Sequence, residues 1–531
     1  MIYTSERTDF KLEIPDVSIT EYVLRHADRL ADKPALIDGS SGRTLTYGQL
    51  AGGIKKVAGG LYARGFRKGD VLAIYCPNMP EYALVFNAVA SVGGINTTVN
   101  PLYTAAELAK QLNDSKAKFL VTVPPFLDKA LEAANNSSVE EVFVFGDAEG
   151  ASSFSELLST EQPAPVVAID PKNDLVVLPY SSGTTGLPKG VMLTHHNLVA
   201  NLCQVDGLEE EKRMGEDEII LAMLPFFHIY GMIVVMKLAL AGGATVVSMP
   251  RFDMEEFLGL VQRYKATTLP LVPPVVLGLA KSPLVDQFDL SSVKTIFCGA
   301  APLGRELSME TSQRIGCPVT QGYGMTEASP VTHLSSMDPE KSREGAIGKV
   351  IPDTEVRLVD VKSGKDCAQG EDGELWIRGP QIMRGYLNQP EETAECIDTE
   401  GWYHTGDVGY VDEDGFFFIV DRVKELIKYK AMQVSPAELE ALLVTHPEIL
   451  DTAVIPCPDE EAGEIPKAIV VLKDPASASD ELAEKIMAFV ADNVAPHKRV
   501  RLLDFAEQIP KSASGKILRR VLVEAERRRN G

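Results

Sequence analysis

The feature that most limits how this chain can fold is a repeated alternation of short apolar runs with helical patterns. The run VLAIYC is followed by EYALVFNAVASVG, and the runs KFLVTV, EEVFVFG, GATVVSM and VKTIFCGA continue the alternation. Strands that alternate with helices favour parallel sheets covered by helices. The sequence therefore predicts an α/β fold, and it leaves the order of the strands open.

The pattern changes near Val350, where short strands follow one another directly. The runs EVRLVD, GELWIRG and GYVDEDGFFFIVDR are separated by turns such as Asp414-Gly415, which favours an antiparallel or barrel-like module. A charged segment then leads to a mixed α+β tail, whose helix SPAELEALLVTH has Ser435 as its predicted cap and Pro436 at its first position.

A chain of 531 residues exceeds the size at which one core usually stops growing. We therefore predict an N-terminal domain over residues 1–423 that holds the parallel sheets and the barrel-like module. A small α+β C-terminal domain is predicted over residues 424–531.

Charge and cysteine content exclude several classes of function. The formal charge of −23 disfavours a nucleic-acid partner or an anionic membrane surface, although one local basic pocket is compatible with it. Seven scattered cysteines without a CxxC pair predict neither a disulfide framework nor a zinc site. The apolar stretch 231–249 is interrupted by Lys237, so we interpret it as a buried helix and strand rather than a membrane span. We expect a cytoplasmic protein, either a monomer or a homodimer.

The stretch YSSGTTGLPKGVMLTH, residues 180–195, predicts a loop that binds phosphate. Glycine lets backbone N–H groups approach an anion, hydroxyls add donors, and a lysine supplies charge. Pro188 and Gly190 stand where a Walker A loop needs its second glycine and its metal-binding hydroxyl, so any metal must be held elsewhere. The alternative is a flexible linker, but apolar runs on both sides indicate a loop between two strands. The loop candidates are Ser181, Ser182, Gly183, Thr184, Thr185, Gly186 and Lys189.

A second polar loop, QGYGMTEASP, covers residues 321–330. Tyr323 offers a flat face to a base, Thr326 offers a hydroxyl, and Glu327 offers a hard oxygen ligand suited to Mg²⁺. Taken alone, the loop could equally be a tight turn with a capping threonine. Beside a phosphate loop, it is a candidate for the metal site that the first loop lacks.

Four further residues have roles that the local sequence leaves open. Asp407 in YHTGD can accept hydrogen bonds from a ribose diol or form an Asx-turn, and Arg422 could reach the same sugar. His228 in LPFFHIYGM is either a site residue or part of the core, and Lys516 after SASG is either a mobile active-site lysine or a solvated helix start. The arginines near the C-terminus are interpreted as a solvated helical face: Arg519, Arg520, Arg527, Arg528 and Arg529.

These stretches together resemble the adenylate-forming superfamily, which includes acyl-CoA synthetases, adenylation domains of peptide synthetases and beetle luciferases. YSSGTTGLPKG, GYGMTE, YHTGD, DRVKELIK and PKSASGK occur in the family's order across nearly the whole chain. LPFFHIYG, VDRVKELIKYK and PKSASGKILRR most resemble the branch of 4-coumarate–CoA ligases and bacterial cinnamate–CoA ligases. The resemblance implies that a carboxylate attacks the α-phosphate of MgATP to give acyl-AMP, and that the thiol of coenzyme A then displaces AMP.

The resemblance also implies roles for individual residues. The first loop would handle the β- and γ-phosphates of ATP, and Glu327 would bind Mg²⁺. The remaining nucleotide contacts would come from Gln321, Gly322, Tyr323, Thr326, Asp407 and Arg422. Lys516 would act in adenylation, Lys424 would be the hinge, and Lys428 and Gln433 would face the site in the second step. The acyl pocket would be lined by His228, Tyr230, Gly299, Gly324, Pro330 and Val331, with glycine walls that let the backbone approach the face of an aromatic ring.

Two positions depart from the branch. Ala431-Met432 replaces the usual Gly-Phe along the path of the pantetheine arm, and Ser329 replaces the glycine usual in plant ligases at a pocket wall. The expected substrate is an aryl-propenoic (phenylpropanoid) acid such as cinnamate or 4-coumarate. The alternatives are a medium- or long-chain fatty acyl-CoA synthetase, a luciferase-like oxygenase, and a nucleotide-binding protein without catalysis, which the presence of Lys516, Lys428 and Glu327 disfavours.

Overall fold

The strands of this chain pair into two mostly parallel sheets and two mainly antiparallel ones. The computed structural model describes residues 1–6, 12–181, 188–208, 214–301, 303–430, 432–459, 461–512 and 515–530. The predicted α/β class is confirmed, and so is the change to antiparallel pairing after Val350.

The first sheet is parallel at its centre and ends in antiparallel strands beside the phosphate-loop sequence. In spatial order its strands are Lys189–Gly190, Leu175–Ser181, Ile95–Thr98, Val71–Tyr75, Ala117–Thr122, Glu141–Val144 and Ser152–Ser153, with Leu193–Thr194 also paired to Leu175–Ser181.

The second sheet is parallel over its five central pairs and antiparallel at both edges. In spatial order its strands are Lys349–Val350, Val331–Leu334, Val319–Gly324, Thr295–Cys298, Thr268–Leu271, Ile219–Ala222, Thr245–Ser248, Pro34–Asp38 and Thr44–Thr46.

The two parallel sheets share one continuous hydrophobic core. Leu72 and Ile74 of the first sheet belong to the same buried cluster as Leu269 and Ile296 of the second. The alternate residues of the strand Val71–Tyr75 face a separate cluster on the other side. Burial on both faces explains why this strand is an unbroken apolar run rather than an alternating one.

Helices cover both sheets, and several begin with a capping box, as at Thr46, Thr104 and Thr194. Before residue 424 the α-helices are Ile19–Val23, Tyr47–Ala63, Pro80–Ser91, Ala105–Ser115, Leu127–Asn135, Ser155–Leu158, His195–Asp206, Leu238–Gly242, Met254–Tyr264, Pro273–Lys281, Arg305–Ile315 and Pro390–Cys396. Short 3₁₀ turns are Pro124–Phe126, Pro283–Gln287, Thr326–Ala328 and Pro339–Lys341.

The apolar stretch 231–249 forms a buried helix and strand, as predicted. A π-helical segment, Tyr230–Lys237, runs into the helix Leu238–Gly242 and then into the strand Thr245–Ser248. Lys237 is wholly buried and donates a hydrogen bond to Asn87 Oδ1 at 2.7 Å. Over the described ranges, no helix has the length and apolar content needed to cross a membrane.

The antiparallel sheet completes the large module, residues 3–422. Its strands are Tyr3–Thr4, Glu355–Val359, Gly373–Arg378, Tyr403–Val411 and Phe417–Arg422. The last two form a hairpin whose turn contains Asp414-Gly415, with Gly415 at a φ of +81°. This positive φ explains the glycine at the turn.

The C-terminal module, residues 427–530, has its own sheet and its own buried clusters. The strands are Met432–Val434, Ile427–Tyr429, Gly463–Leu472, Ile449–Asp459 and Leu502–Phe505; the helices are Pro436–Leu443, Asp480–Asn493 and Arg519–Asn530, with 3₁₀ turns Pro475–Ser477 and Pro496–Lys498. Ser435 caps the first helix by accepting a hydrogen bond from the backbone N–H of Glu438, as predicted. All seven cysteines are free thiols.

Candidate active site

The phosphate-loop sequence lies between two strands that pair with each other. Ser181 ends the strand Leu175–Ser181 and stands opposite Lys189 in the antiparallel strand that follows. The prediction that paired strands flank the loop is thus confirmed. Its central candidates, Ser182, Gly183, Thr184, Thr185 and Gly186, lie outside the described residues.

Tyr386 connects Lys189 to Glu327. The Lys189 ammonium lies 4.9 Å from the centre of the Tyr386 ring, and the Tyr386 hydroxyl donates to Glu327 Oε1 at 2.9 Å. Burial, and next the Glu327 charge, raise the pKa of Tyr386, so its hydroxyl stays protonated and remains a donor. Sequence analysis overlooked Tyr386, although it lies in the polar turn RGYLN, which follows the strand GELWIR after the segment GPQIM and could have drawn attention to it.

Glu327 is suited to share a magnesium ion with phosphate oxygens. The residue is 8% exposed, and its backbone carbonyl accepts a hydrogen bond from the N–H of Met383. In the part of the chain that the structure describes, no three His, Cys, Asp or Glu side chains converge as a preformed metal cage. A single buried carboxylate fits the way Mg²⁺ is usually held, by one or two carboxylates together with substrate phosphates.

Asp407, Arg422 and Tyr323 converge as the ribose and adenine predictions require. Asp407 stands opposite Arg422 in the hairpin, and its Oδ1 lies 2.9 Å from Arg422 Nε. The Tyr323 hydroxyl donates to Asp407 Oδ2 at 2.6 Å. The carboxylate is therefore used in contacts between distant parts of the sequence rather than in an Asx-turn.

Asp407 and Arg422 are called the nucleotide cradle below. Next to this cradle, His333 and Phe417 support the Tyr323 ring. The His333 ring centre lies 5.7 Å from that of Tyr323 and 4.6 Å from that of Phe417. His333 is fully buried, and burial lowers its pKa to about 3, so the ring is neutral. The packing fixes the ring on which a base could stack.

Gln321, Gly322 and Thr326 lie along the same strand and turn. The Gln321 amide exchanges hydrogen bonds with the backbone N–H and carbonyl of Leu303, at 3.1 and 3.3 Å, and so fixes the loop after Gly299. Thr326 opens the 3₁₀ turn that carries Glu327.

Lys516 reaches from the C-terminal module to the site in the large module. Burial, and next the charge of Arg422, lower the pKa of its amine, whereas Asp407 and Glu327 raise it. The preceding Gly515 has a φ of +81°, and a Cβ on it would lie 3.6 Å from Pro274 of the large module. Lys516 is thus not a solvated helix start but an enclosed cation beside the nucleotide residues.

His228 lies close enough to Lys516 for the lysine charge to act on it. Burial, and next the Lys516 charge, lower the pKa of His228 to about 4, so its imidazole is neutral at neutral pH. Its Nδ1 accepts a hydrogen bond from the backbone N–H of Tyr230 at 3.3 Å, which orients the ring. His228 is therefore a neutral, oriented side chain between Lys516 and Tyr230 in its contacts, and its role in an acyl pocket stays a prediction.

The predicted acyl-pocket residues form two contacting groups. A Cβ on Gly299 would lie 3.1 Å from Tyr230 Cε1, and one on Gly324 would lie 2.2 Å from the carbonyl oxygen of Pro330. That these glycines line the acyl pocket stays a prediction. The space that a side chain would take is filled by Tyr230 and Pro330, so the glycines permit close packing of the protein itself.

Phe297 joins the two groups and was missed by sequence analysis, which assigned VKTIFCGA only as a strand. The Tyr230 hydroxyl donates to the Phe297 carbonyl at 3.0 Å, and the two rings meet edge to face at 5.9 Å. The Phe297 ring lies against Gly322, where a Cβ would be 2.7 Å from its Cζ. Beyond it is an apolar cavity of about 40 Å³ whose lining includes Val234, Leu238, Thr295, Phe297, Val331 and Met337.

Ser329 does not add a polar group to the pocket surface. It is fully buried, and its hydroxyl donates to the Gln381 carbonyl at 2.8 Å. Its φ of +65° lies in the left-handed region that favours glycine, which is consistent with a glycine in related chains.

The residues predicted for the second step lie on the C-terminal sheet. Lys428 stands opposite Gln433 in a strand pair, and the Lys428 side chain is exposed, as is that of Lys424 in the preceding turn. In this structure Lys516, rather than Lys428, is the enclosed lysine. Ala431 lies outside the described residues, and Met432 is exposed.

Arg519 corrects the prediction of a solvated arginine face. It is 9% exposed, and its guanidinium lies 3.1 Å from Glu440 and 3.3 Å from Glu425. Burial raises the pKa of Glu440 to about 7, with Arg519 opposing the shift. The other four arginines of the set are exposed, as predicted.

Comparison with known proteins assigns the family. Residues 23–387 match the family described as AMP-binding enzyme, and residues 438–516 match the AMP-binding enzyme C-terminal domain. The chain is 44% identical to 4-coumarate–CoA ligase 2 of Petroselinum crispum, over 97% of this chain and 96% of the relative. It is 45% identical to 4-coumarate–CoA ligase 1 of Solanum tuberosum over the same shares.

A solved structure has the same architecture. An anthranilate CoA ligase in complex with anthranoyl-AMP superposes with a TM-score of 0.89 at 28% identity, covering 98% of this chain and 99% of that one. The shared fold, both family matches and the near-complete alignment agree with the motifs from which the resemblance was drawn. The chain belongs to the AMP-binding enzyme family.

Proposed function

We propose that this ATP-dependent carboxylate–CoA ligase acts on an aryl-propenoic acid such as cinnamate or 4-coumarate. The observation that carries the proposal is the position of Lys516 between the nucleotide cradle of Asp407 and Arg422 and the apolar region behind His228. A carboxylate held at that boundary would meet the α-phosphate of ATP beside a cation. We place the enzyme in the cytoplasm, with ATP, Mg²⁺ and coenzyme A as its small-molecule partners.

In the first step, an oxygen of the acid would attack the α-phosphorus and pyrophosphate would leave. Negative charge gathers on the oxygens of the phosphoryl group, where the protonated amine of Lys516 would supply a positive charge beside Asp407, Arg422 and Glu327. Asp407 would hold the ribose, and Tyr323 would stack on the base. Glu327 would hold Mg²⁺ together with phosphate oxygens, and the ion would supply positive charge beside the leaving pyrophosphate. The protein thus acts mainly through position and charge.

In the second step, the sulfur of coenzyme A would attack the acyl carbon, AMP would leave, and the thiol would lose its proton. Lys516 occupies the site through the loop that docks on Pro274, so the thiol needs that loop to withdraw. We propose that residues 424–531 swing as a domain about Lys424 and bring Lys428 and Gln433 to the site. The proposed boundary at residues 423–424 follows from this hinge.

The shape of the apolar region supports a flat aromatic acid. Tyr230 and Phe297 meet edge to face and offer aromatic faces beside an apolar cavity of about 40 Å³, a lining that suits contact with a flat ring. A hydrophobic pocket discriminates by only about 1–3 kcal/mol per methylene. Medium-chain fatty acids are therefore expected to be poor substrates rather than excluded ones.

The test is pyrophosphate release with a panel of acids, each measured with and without coenzyme A. Cinnamate and 4-coumarate should give the highest kcat/KM, and coenzyme A should convert the adenylate to the thioester. A higher kcat/KM for octanoate or longer acids would refute the aryl assignment. Pyrophosphate release without any thioester would refute the ligase reaction itself.

A further inference from the structure

Asp421 links the large module to the C-terminal module, and the reaction scheme above gives it no role. Its Oδ2 lies 2.7 Å from the Ser435 hydroxyl and accepts a hydrogen bond from the backbone N–H of Ala437 at 3.1 Å. We propose that Asp421 is a positioning residue that holds the C-terminal module in the orientation in which Lys516 enters the active site. This inference rests on the proposed function.

The contact is buried and fully satisfied. Asp421 is 5% exposed, and its second oxygen accepts a hydrogen bond from the backbone N–H of Arg422 at 2.7 Å. Among the residues the structure describes, no Lys, Arg or His forms an ion pair with it. The start of the helix Pro436–Leu443 gives it both a hydrogen-bond donor and the positive end of a helix dipole. A buried carboxylate without a cation depends strongly on such donors.

The helix terminus is shared between two modules. Ser435 already caps its own helix through the N–H of Glu438, which is an ordinary local cap. Asp421 adds a second cap from a strand of the large module, on the other side of the turn that contains Lys424. The Ser435 hydroxyl also lies 2.8 Å from the Val420 carbonyl, so two consecutive residues of that strand contact the helix start.

The same strand carries the ribose contact. Asp421 and Arg422 are neighbours in the strand Phe417–Arg422, and successive side chains of a strand point to opposite faces. Arg422 points to Asp407 in the nucleotide site, while Asp421 points to the C-terminal module. One rigid strand thus positions both the nucleotide and the module that delivers Lys516.

A rotation about Lys424 would break this contact. Ser435, Ala437 and Lys516 belong to one module with its own core, so they move together. When Lys516 leaves the site, the Asp421 carboxylate loses the helix N-terminus. The contact therefore favours the adenylation orientation over any rotated one. The loss of a good helix cap typically changes an equilibrium by about 5- to 30-fold.

The test measures the two half-reactions separately in Asp421→Ala and Asp421→Asn. Asp421→Ala should lower kcat of acid-dependent ATP–pyrophosphate exchange by about 5- to 30-fold. The KM for ATP should change by less than about twofold, because Arg422 and Asp407 remain paired. Thioester formation from supplied acyl-AMP and coenzyme A should be unchanged or faster. Asp421→Asn keeps one acceptor oxygen and should recover part of the exchange rate.

Ser479→Ala is the matched control. Ser479 caps the helix Asp480–Asn493 inside the C-terminal module, through the backbone N–H of Leu482, and makes no contact across the turn. The substitution removes a cap of the same kind without touching the large module. Both half-reactions should stay at the wild-type rate.

Three results would overturn the inference. They are an unchanged exchange rate in Asp421→Ala, an equal loss of both half-reactions, and an equal effect in Ser479→Ala. If Asp421→Ala does not fold, as shown by its melting temperature, Asp421→Asn decides by the same criteria. If the wild-type protein shows no acid-dependent exchange, the proposed function is refuted. If the wild type is active and Asp421→Ala has the same exchange rate, only the role of Asp421 is refuted.

Discussion

Removal of the Tyr386 hydroxyl should raise the Mg²⁺ concentration that the enzyme needs for half-maximal activity, without changing the shape of the site. In Tyr386→Phe the ring remains, so the contact with the Lys189 ammonium at 4.9 Å is kept. The hydrogen bond to Glu327 Oε1, 2.9 Å long, is lost together with the one that the hydroxyl accepts from Tyr403. The substitution therefore removes the donor that orients the carboxylate while it keeps the ring.

The expected magnitude follows from burial and charge. Glu327 is 8% exposed, so water replaces the lost donor incompletely. A hydrogen bond to a charged group contributes about 1.5–3 kcal/mol. The lower value corresponds to about a tenfold change, and loss of a partner that orients a metal ligand typically costs 10- to 100-fold in metal affinity. The Mg²⁺ concentration that gives half-maximal activity should therefore rise by about tenfold.

The assay is acid-dependent ATP–pyrophosphate exchange as a function of free Mg²⁺. Tyr410→Phe is the control. This substitution also removes a tyrosine hydroxyl, but Tyr410 stacks on Phe418 outside the site. The rate at saturating Mg²⁺ should remain near that of the wild type. Two results would show that Tyr386 does not orient the metal ligand. One is a change of less than twofold in the half-maximal Mg²⁺ concentration of Tyr386→Phe at an unchanged melting temperature. The other is an equal change in Tyr410→Phe.

Three further substitutions test other parts of the site. Lys516→Ala should slow ATP–pyrophosphate exchange by about 10²–10³-fold and leave thioester formation from supplied acyl-AMP nearly intact. A normal exchange rate in this variant would show that Lys516 has no role in adenylation. Gly299→Ala should lower kcat/KM for 4-coumarate, because its Cβ would lie 3.1 Å from the Tyr230 ring; an unchanged value would show that the ring moves freely. Lys424→Pro restricts φ at the proposed hinge and should impair thioester formation more than adenylation, and equal losses would argue against the swing.

The motif residues and the family could be predicted from the sequence because each motif is a short local pattern. Tyr323, Glu327 and Asp407 were identified as site candidates on their chemistry and on the order of the loops. The structure brings Tyr323 and Asp407 into direct contact although they are separated by 84 positions. Ser435 was also predicted as a cap, since capping depends on only a few neighbouring residues.

Residues that act through packing could not be predicted in this way. Phe297 belongs to an ordinary buried strand, and its position against Gly322 depends on how two parallel strands align. The contact of Asp421 with Ala437 depends on the fold of the turn between them. Arg519 was predicted to be solvated because it stands among other charged residues. Its partner Glu440 lies on another helix, so the local sequence does not reveal the ion pair. Strand order was open for the same reason, because pairing over long separations leaves no local signal.

The continuous core shared by the two parallel sheets has a consequence for how the molecule melts. Ile74 and Leu269, from different sheets, lie in one cluster, so neither sheet keeps a dry interior if the other is lost. The two parallel sheets should unfold together in one cooperative transition, whereas the C-terminal module, with separate clusters, can unfold on its own. A protease cut between the two modules would leave two folded pieces. A chain truncated after the strands of the first sheet would lack most of the second sheet, expose half of the shared core and aggregate.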